Sequence, residues 1–195
     1  MECSYGIIEY GVYAQGVSGK LYTFYEWNSQ ETLNGVAFIT ENHSFLVAPD
    51  IIENKAMCSE ENKGIDVGLE PWYSYEEGYA GYKNTRIIRD NYGDISSDYA
   101  PGAALNYRFQ NGVQGYIPSK DELQLAWDNK GGNTAGIMPN LFNHDLWTSS
   151  VDKQASAYGY TTFFYWKNSL DKTSTVNCTY IANVLPFGKL DYYFK

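Results

Sequence analysis

The stretch Gly115-Tyr116-Ile117-Pro118-Ser119-Lys120-Asp121-Glu122-Leu123 constrains this chain more than any other. Pro118 turns the residue before it away from helical geometry. Ser119 can then cap a new helix, and Glu122, three residues on, is placed to bond back to the cap's own amide. Leu123, Ala126 and Trp127 fall on one face, which predicts a short helix over 119–128 packed through its indole side. Further along, Leu146-Trp147-Thr148-Ser149-Ser150 reads as a compact strand in which a bulky residue is followed by three hydroxyls.

At 195 residues the chain fits one domain, or one domain with an appended arm, and is long enough to bury a real core. The N-terminus, Met1-Glu2-Cys3-Ser4-Tyr5-Gly6-Ile7, lacks the basic region and apolar run of a secretion signal. No apolar stretch approaches the roughly 20 residues that cross a bilayer, so no membrane insertion is expected. A surface role then implies another export route, or assembly in a bacterial cytoplasm and release by lysis. A net charge of −9 argues against nucleic acid, which is bound chiefly through neutralised phosphates. Three scattered cysteines, Cys3, Cys58 and Cys178, are too few for a disulfide scaffold, and their odd count predicts folding in a reducing compartment. Asn42-His43-Ser44 and Asn177-Cys178-Thr179 match the glycosylation sequon, which matters only in a eukaryotic secretory pathway.

Nineteen tyrosines, five tryptophans and nine phenylalanines are the unusual numbers. Such side chains either form a β-rich core with cross-strand aromatic pairs or furnish an exposed binding or assembly surface. Period-2 alternation predicts strands over 4–13 and 20–27, and a hairpin of 35–40 and 45–48 about the turn Glu41-Asn42-His43-Ser44. Residues 51–74 read as a surface loop, followed by a helix from 76 to 91 ended by Gly93. The last third alternates strands and turns, with strands at 145–149, 157–166 and 174–186.

Motifs for chemistry are sparse. The two histidines, His43 and His144, lie in a predicted turn and just before a strand. No HExxH-like or Cys/His spacing supports a zinc site, no glycine loop suits phosphate, and no nucleophile motif accompanies a histidine. No cofactor is expected, and the chain reads as a non-enzyme. Two facing carboxylates would serve a glycosidase, so cleavage of a surface polysaccharide stays as an alternative.

Tyr116-Ile117-Pro118-Ser119 through Glu122-Leu123, followed by Leu146-Trp147-Thr148-Ser149-Ser150, resembles the C-terminal domain of Legionella collagen-like adhesins, found also in gut bacterial and phage surface proteins. Gly81-Tyr82-Lys83-Asn84-Thr85-Arg86 resembles the helix that precedes an Ala-rich helix in gut versions, and Ala100-Pro101-Gly102-Ala103-Ala104-Leu105 would be that second helix. The resemblance covers roughly residues 35–190. It implies an α+β, C-type-lectin-like domain over 34–195 with mixed antiparallel strands and two to three short helices. Residues 1–33 would then be an N-terminal β arm for assembly or docking. The copper-binding cysteine pair of related formylglycine-generating enzymes is missing, since only Cys178 lies in that region. Glu70-Pro71-Trp72 and Trp27-Asn28-Ser29 each lack a ligand that calcium-dependent lectins need, although the acidic run 90–98 offers oxygens for a structural calcium ion.

The resemblance places ligand contacts in the last third. The candidate ligand-binding residues there are Trp147, Tyr158, Tyr160, Tyr165, Trp166 and Asn168, with Tyr158 and Tyr160 expected outward and Phe163 inward. The expected function is a recognition or display module of a phage virion or bacterial surface structure. It would act as an oligomer, bind a cell-surface glycan or protein, and contact other assembly subunits. A purely structural capsid or tail decoration protein is the alternative.

Overall fold

Alternating apolar residues build the first sheet of the computed structural model, which describes residues 9–27, 31–41, 43–69, 80–93, 96–129, 141–152, 161–167 and 172–190. In Leu33–Ile39 (β3), Val36 and Phe38 face one core cluster while Ala37 and Ile39 face another. Phe45 and Val47 of Ser44–Val47 (β4) join the first cluster and Leu46 the second. The two strands pair antiparallel, from Val36 opposite Val47 to Ile39 opposite Ser44, as the predicted hairpin requires.

Gly11–Gly16 (β1) pairs antiparallel with β3, and Leu21–Tyr22 (β2) folds back onto β1. The expected arm of residues 1–33 is therefore, over its described part, built into this sheet. Only Leu21 and Tyr22 of the strand predicted over 20–27 are extended. Beyond them the Thr23 amide and hydroxyl donate to Glu26 Oε2, and the amides of Glu26 and Trp27 donate to Thr23 O. This locally bonded turn outcompetes the alternating pattern.

The predicted surface loop of 51–74 also differs. It opens with a strand, Ile52–Lys55 (β5), and its continuation buries Met57, Cys58, Val67 and Leu69. Helix Gly81–Tyr92 (α1) ends on Gly93, whose φ of 67° is the left-handed conformation that lets its amide return to Arg89 O. Ala100–Asn106 (α2) carries a proline in its first turn. Gly115–Tyr116 (β6), Lys120–Asp128 (α3) and a 3-10 turn at Leu141–Asn143 lead to Leu146–Val151 (β7) and Thr162–Lys167 (β8). The strand predicted over 174–186 breaks into Lys172–Asn177 (β9) and Ala182–Val184 (β10), and Phe187–Lys189 (β11) follows.

Over the described residues the result is an α+β fold of two sheets and three short helices. One sheet has the order β2-β1-β3-β4-β11-β6 and the other β5-β10-β7-β8-β9, with all pairings antiparallel except β10 on β7. Between the sheets and α3 lies a core that includes Phe38, Phe45, Tyr116, Leu123, Trp166 and Phe187. A second core, with Ile88, Ala104, Trp147, Phe163 and Tyr165, joins the second sheet to α1, α2 and the segment after β5. Strand β8 feeds both, Phe163 and Tyr165 on one side and Trp166 on the other, so it is covered on both faces. Phe163 is inward as expected.

These cores account for most described aromatic side chains, which meet in stacked and edge-on pairs such as Phe38–Phe45, Phe45–Phe187 and Trp127–Phe142. Burying one such ring stabilises the fold by about 2 kcal/mol. Among the described residues only Tyr10, Tyr25 and Ile181 stand out as large exposed apolar side chains. No described helix is long and apolar enough to cross a membrane.

Candidate functional site

Two polar constellations stand out, one buried and one at the surface. The buried one is centred on Glu122. Ser119 Oγ accepts from the Glu122 amide at 3.3 Å and Glu122 Oε2 accepts from the Ser119 amide at 2.7 Å, which is the expected capping box. The same carboxylate accepts from Tyr116 Oη at 2.8 Å, and His43 Nε2, in the turn between β3 and β4, lies 2.7 Å from Oε1. Glu122 has no solvent exposure, whereas His43 keeps 24 % of its side chain exposed. Burial and the adjacent carboxylate push the Tyr116 phenol well above its usual range.

Two other sequence motifs converge on this hub. Gly81 opens α1 against it, and a Cβ there would meet Glu122 Oε2 at 2.3 Å and the Ser119 nitrogen at 2.7 Å. Thr85 Oγ1 donates to Gly81 O and accepts from the Ile117 amide at 2.9 Å. From β7, the Ser149 amide donates to Pro118 O at 2.8 Å, and Ser150 Oγ accepts from the Lys120 amide at 2.9 Å. Thr148 Oγ1 donates to Phe164 O on β8. The hydroxyl run of β7 is therefore spent on fastening α3 to the second sheet. Most of these groups are buried, with His43 and Lys120 at the edge, and all are bonded into one network, so the hub organises the fold.

The surface constellation is a shelf around Tyr180. Its ring packs at 5.1 Å from Tyr165 and edge-on at 6.1 Å from Trp147, and it is partly exposed. Its hydroxyl donates to Asp145 Oδ2 at 2.9 Å. Asp145 O accepts from the Asn183 amide at 2.9 Å, and Asn183 Oδ1 accepts from the Asn54 amide at 3.0 Å. Asn54 is the one described non-glycine residue with positive φ, 53°, a conformation asparagine tolerates. Beside the ring, Ile181 is 54 % exposed. Burial first, and then the Asp145 carboxylate, raise the Tyr180 phenol.

The shelf is braced by a disulfide. Cys58 and Cys178 are joined across a sequence separation of 120, and the amides of Met57 and Cys58 both donate to Cys178 O. The reading of these cysteines as too scattered to pair is corrected for Cys58 and Cys178: spacing along the chain hid a pair that the fold brings together. Cys3 lies outside the described residues.

Of the expected ligand contacts, Trp147, Tyr165 and Trp166 are core residues, at 0 %, 3 % and 1 % exposure, so their faces do not reach a ligand at the surface. For Tyr165 and Trp166 the burial has a simple cause, because β8 sits between two packed layers. Trp147 and Tyr165 are brought together, but as the backing of Tyr180. Trp166 lies in the other core, against Trp127. Tyr158, Tyr160 and Asn168 lie outside the described residues.

Sequence reasoning missed Tyr180, Asp145, Asn183 and Asn54. One signal was present. Asn177 Oδ1 accepts from the Thr179 amide and hydroxyl, an Asx turn that the Asn-Cys-Thr triplet favours and that ends β9. Among the described residues no group of three or more His, Cys, Asp or Glu side chains is placed to hold a metal ion. No protein-family model, no curated protein and no solved structure matches this chain.

Proposed function

We propose that this protein is a recognition or display module of a phage virion or bacterial surface structure, with a C-type-lectin-like domain, and that it holds a cell-surface glycan through the Tyr180 shelf. The observation that carries this reading is the composition of the shelf. A partly exposed ring is backed by two buried rings and bonded to the Asp145 carboxylate, whose own backbone carbonyl holds the Asn183 side chain. An aromatic face stacks on the C–H surface of a sugar, while carboxylates and amides bond to its hydroxyls. Bracing by neighbouring strands lowers the ordering cost of binding. Exposed Tyr10 and Tyr25, near the first sheet's β1 and β2, are suited to subunit contacts in the same assembly.

The test is retention of purified protein on intact bacterial cells and on extracted surface polysaccharides, with polymer length scored in parallel. Tyr180→Ala should weaken retention about tenfold, as loss of one stacking face predicts, with its cooperative melt preserved. Retention unchanged in Tyr180→Ala would remove the shelf from the reading. Shortened polymer would replace recognition with glycan cleavage, and no retention on any sample would favour a decoration protein.

A further inference from the structure

We infer that the Cys58–Cys178 bridge is the positioning element of the Tyr180 shelf, so that the protein attains its binding form only where its thiols can be oxidised. The inference rests on the shelf reading for its consequence in binding, but on separate observations for its structure. Cys178 opens the turn 178–180, and Tyr180 lies two residues beyond it. That turn carries the chain from β9, an edge strand, past β8 and β7 to β10 on the far side of the second sheet. Between the two strands, one backbone bond from the Tyr180 amide to Asn177 O shapes the turn internally. Two anchors tie it to the rest of the molecule: Tyr180, through its hydroxyl on Asp145 and its ring on Tyr165 and Trp147, and Cys178, through its sulfur and through its carbonyl, which accepts from two amides of the segment after β5. The other shelf segment, Asn54 and Lys55 of β5, ends three residues before Cys58 and is held by bonds to Asn183 and Trp147. The two walls also meet as the antiparallel pair β5–β10, and the bridge adds the one covalent link between the segments that lead into them.

The two cysteines are 2 % and 0 % exposed. A soluble reductant has no route to them in the folded protein, and an oxidant has none either. The bond must form before packing is complete. One cysteine thiolate opens the disulfide of an oxidant of the thiol-disulfide exchange class, giving a mixed disulfide. The second thiolate attacks that bond, forms Cys58–Cys178 and expels the oxidant's other sulfur. Two electrons and two protons pass to the oxidant, which leaves as a dithiol. Such exchange is sustained in a periplasm, a secretory lumen or outside the cell, and opposed in a reducing cytoplasm.

The experiment uses the full chain, made with an added export leader and separately in a reducing cytoplasm. Thiols are alkylated in denaturant and mapped by mass spectrometry, and amide exchange is followed without any ligand. The exported protein should yield a linked Cys58–Cys178 peptide that survives a dithiol under native conditions and is reduced once the protein is denatured. Cys58→Ala with Cys178→Ala should lower the melting temperature by about 10 °C. Exchange at Thr179–Ile181 in that variant should quicken roughly tenfold or more, while α3 and β3 keep their protection.

Free thiols at both positions in the exported protein would overturn the inference, as would unchanged exchange at 179–181 in the double variant. If that variant does not melt cooperatively, exchange is read on the parent reduced by a dithiol in mild denaturant. There, residues 57–69 and 177–183 should open ahead of α3, and simultaneous opening everywhere would overturn the positioning role. None of these readouts involves a glycan. Should they hold while Tyr180→Ala binds polysaccharide as well as the parent, the shelf reading fails and the bridge's structural role stands.

Discussion

The Glu122 hub and the Tyr180 shelf are made from the same parts and do different work. In each, a tyrosine hydroxyl donates to a carboxylate, at 2.8 Å from Tyr116 to Glu122 and at 2.9 Å from Tyr180 to Asp145. In the hub the carboxylate is sealed from water and also answers a helix cap and a histidine, so each bond depends on the others. On the shelf the pair is only partly buried, and the tyrosine ring reaches the surface. The comparison teaches that burial, and not the identity of the bonded pair, decides whether a polar contact holds a fold together or stays available to a ligand.

The sharpest way to break the comparison is Glu122→Ala. It removes the buried acceptor of both the Tyr116 hydroxyl and the Ser119 amide, and should cost about 4 kcal/mol in denaturant unfolding. A loss under roughly 1 kcal/mol would mean that the hub is no more cooperative than a surface contact.

A smaller and cleaner effect comes from removing one hydroxyl at each site. Tyr116→Phe should cost about 1.5 kcal/mol, because the buried carboxylate loses a donor that water cannot replace. Tyr180→Phe should cost less than about 0.5 kcal/mol, since solvent can reach its partner. Equal losses in matched melts would dissolve the distinction between the sites.

The last effect is a slope, read per pH unit. Tyr116 keeps its proton in the folded protein well above the ordinary phenol value of 10.0, whereas the unfolded chain releases it there. Unfolding then sheds a proton, so this contribution is intact below about pH 10 and is lost as pH climbs toward the raised value. Stability should fall by about 1 kcal/mol per pH unit on this account, and Tyr116→Phe should remove that part of the slope. Tyrosinate absorbance followed alongside melting would check it.

Local chemistry made much of the framework legible. Pro118, Ser119 and Glu122 specify α3 and its cap within four neighbours, and Gly93 ends α1 for a reason contained in its own backbone. The β3–β4 hairpin follows from alternation about a polar turn. The site was less legible because its parts are distant in sequence. Tyr180 meets Asp145, Asn183 meets Asn54, and Cys58 meets Cys178 only after the second sheet has assembled. Period-2 reasoning also assumes that one face of a strand is wet. In β8 neither is, so Tyr165 and Trp166, which read as surface rings, are core.

Strand β11 carries a consequence for how the chain is made. Phe187–Lys189 lies between β4 and β6 and supplies the partner of both. Until a ribosome has delivered those residues, β4 has an open flank and the core around Phe45 lacks the Phe187 ring that stacks on it. The fold thus completes by a late, long-range insertion, which makes acquisition of structure slow and leaves an unpaired strand in the nascent chain. A chaperone that shields β4 during synthesis, or a stalled message that stops before Phe187, would reveal itself as a change in soluble yield long before any change in binding.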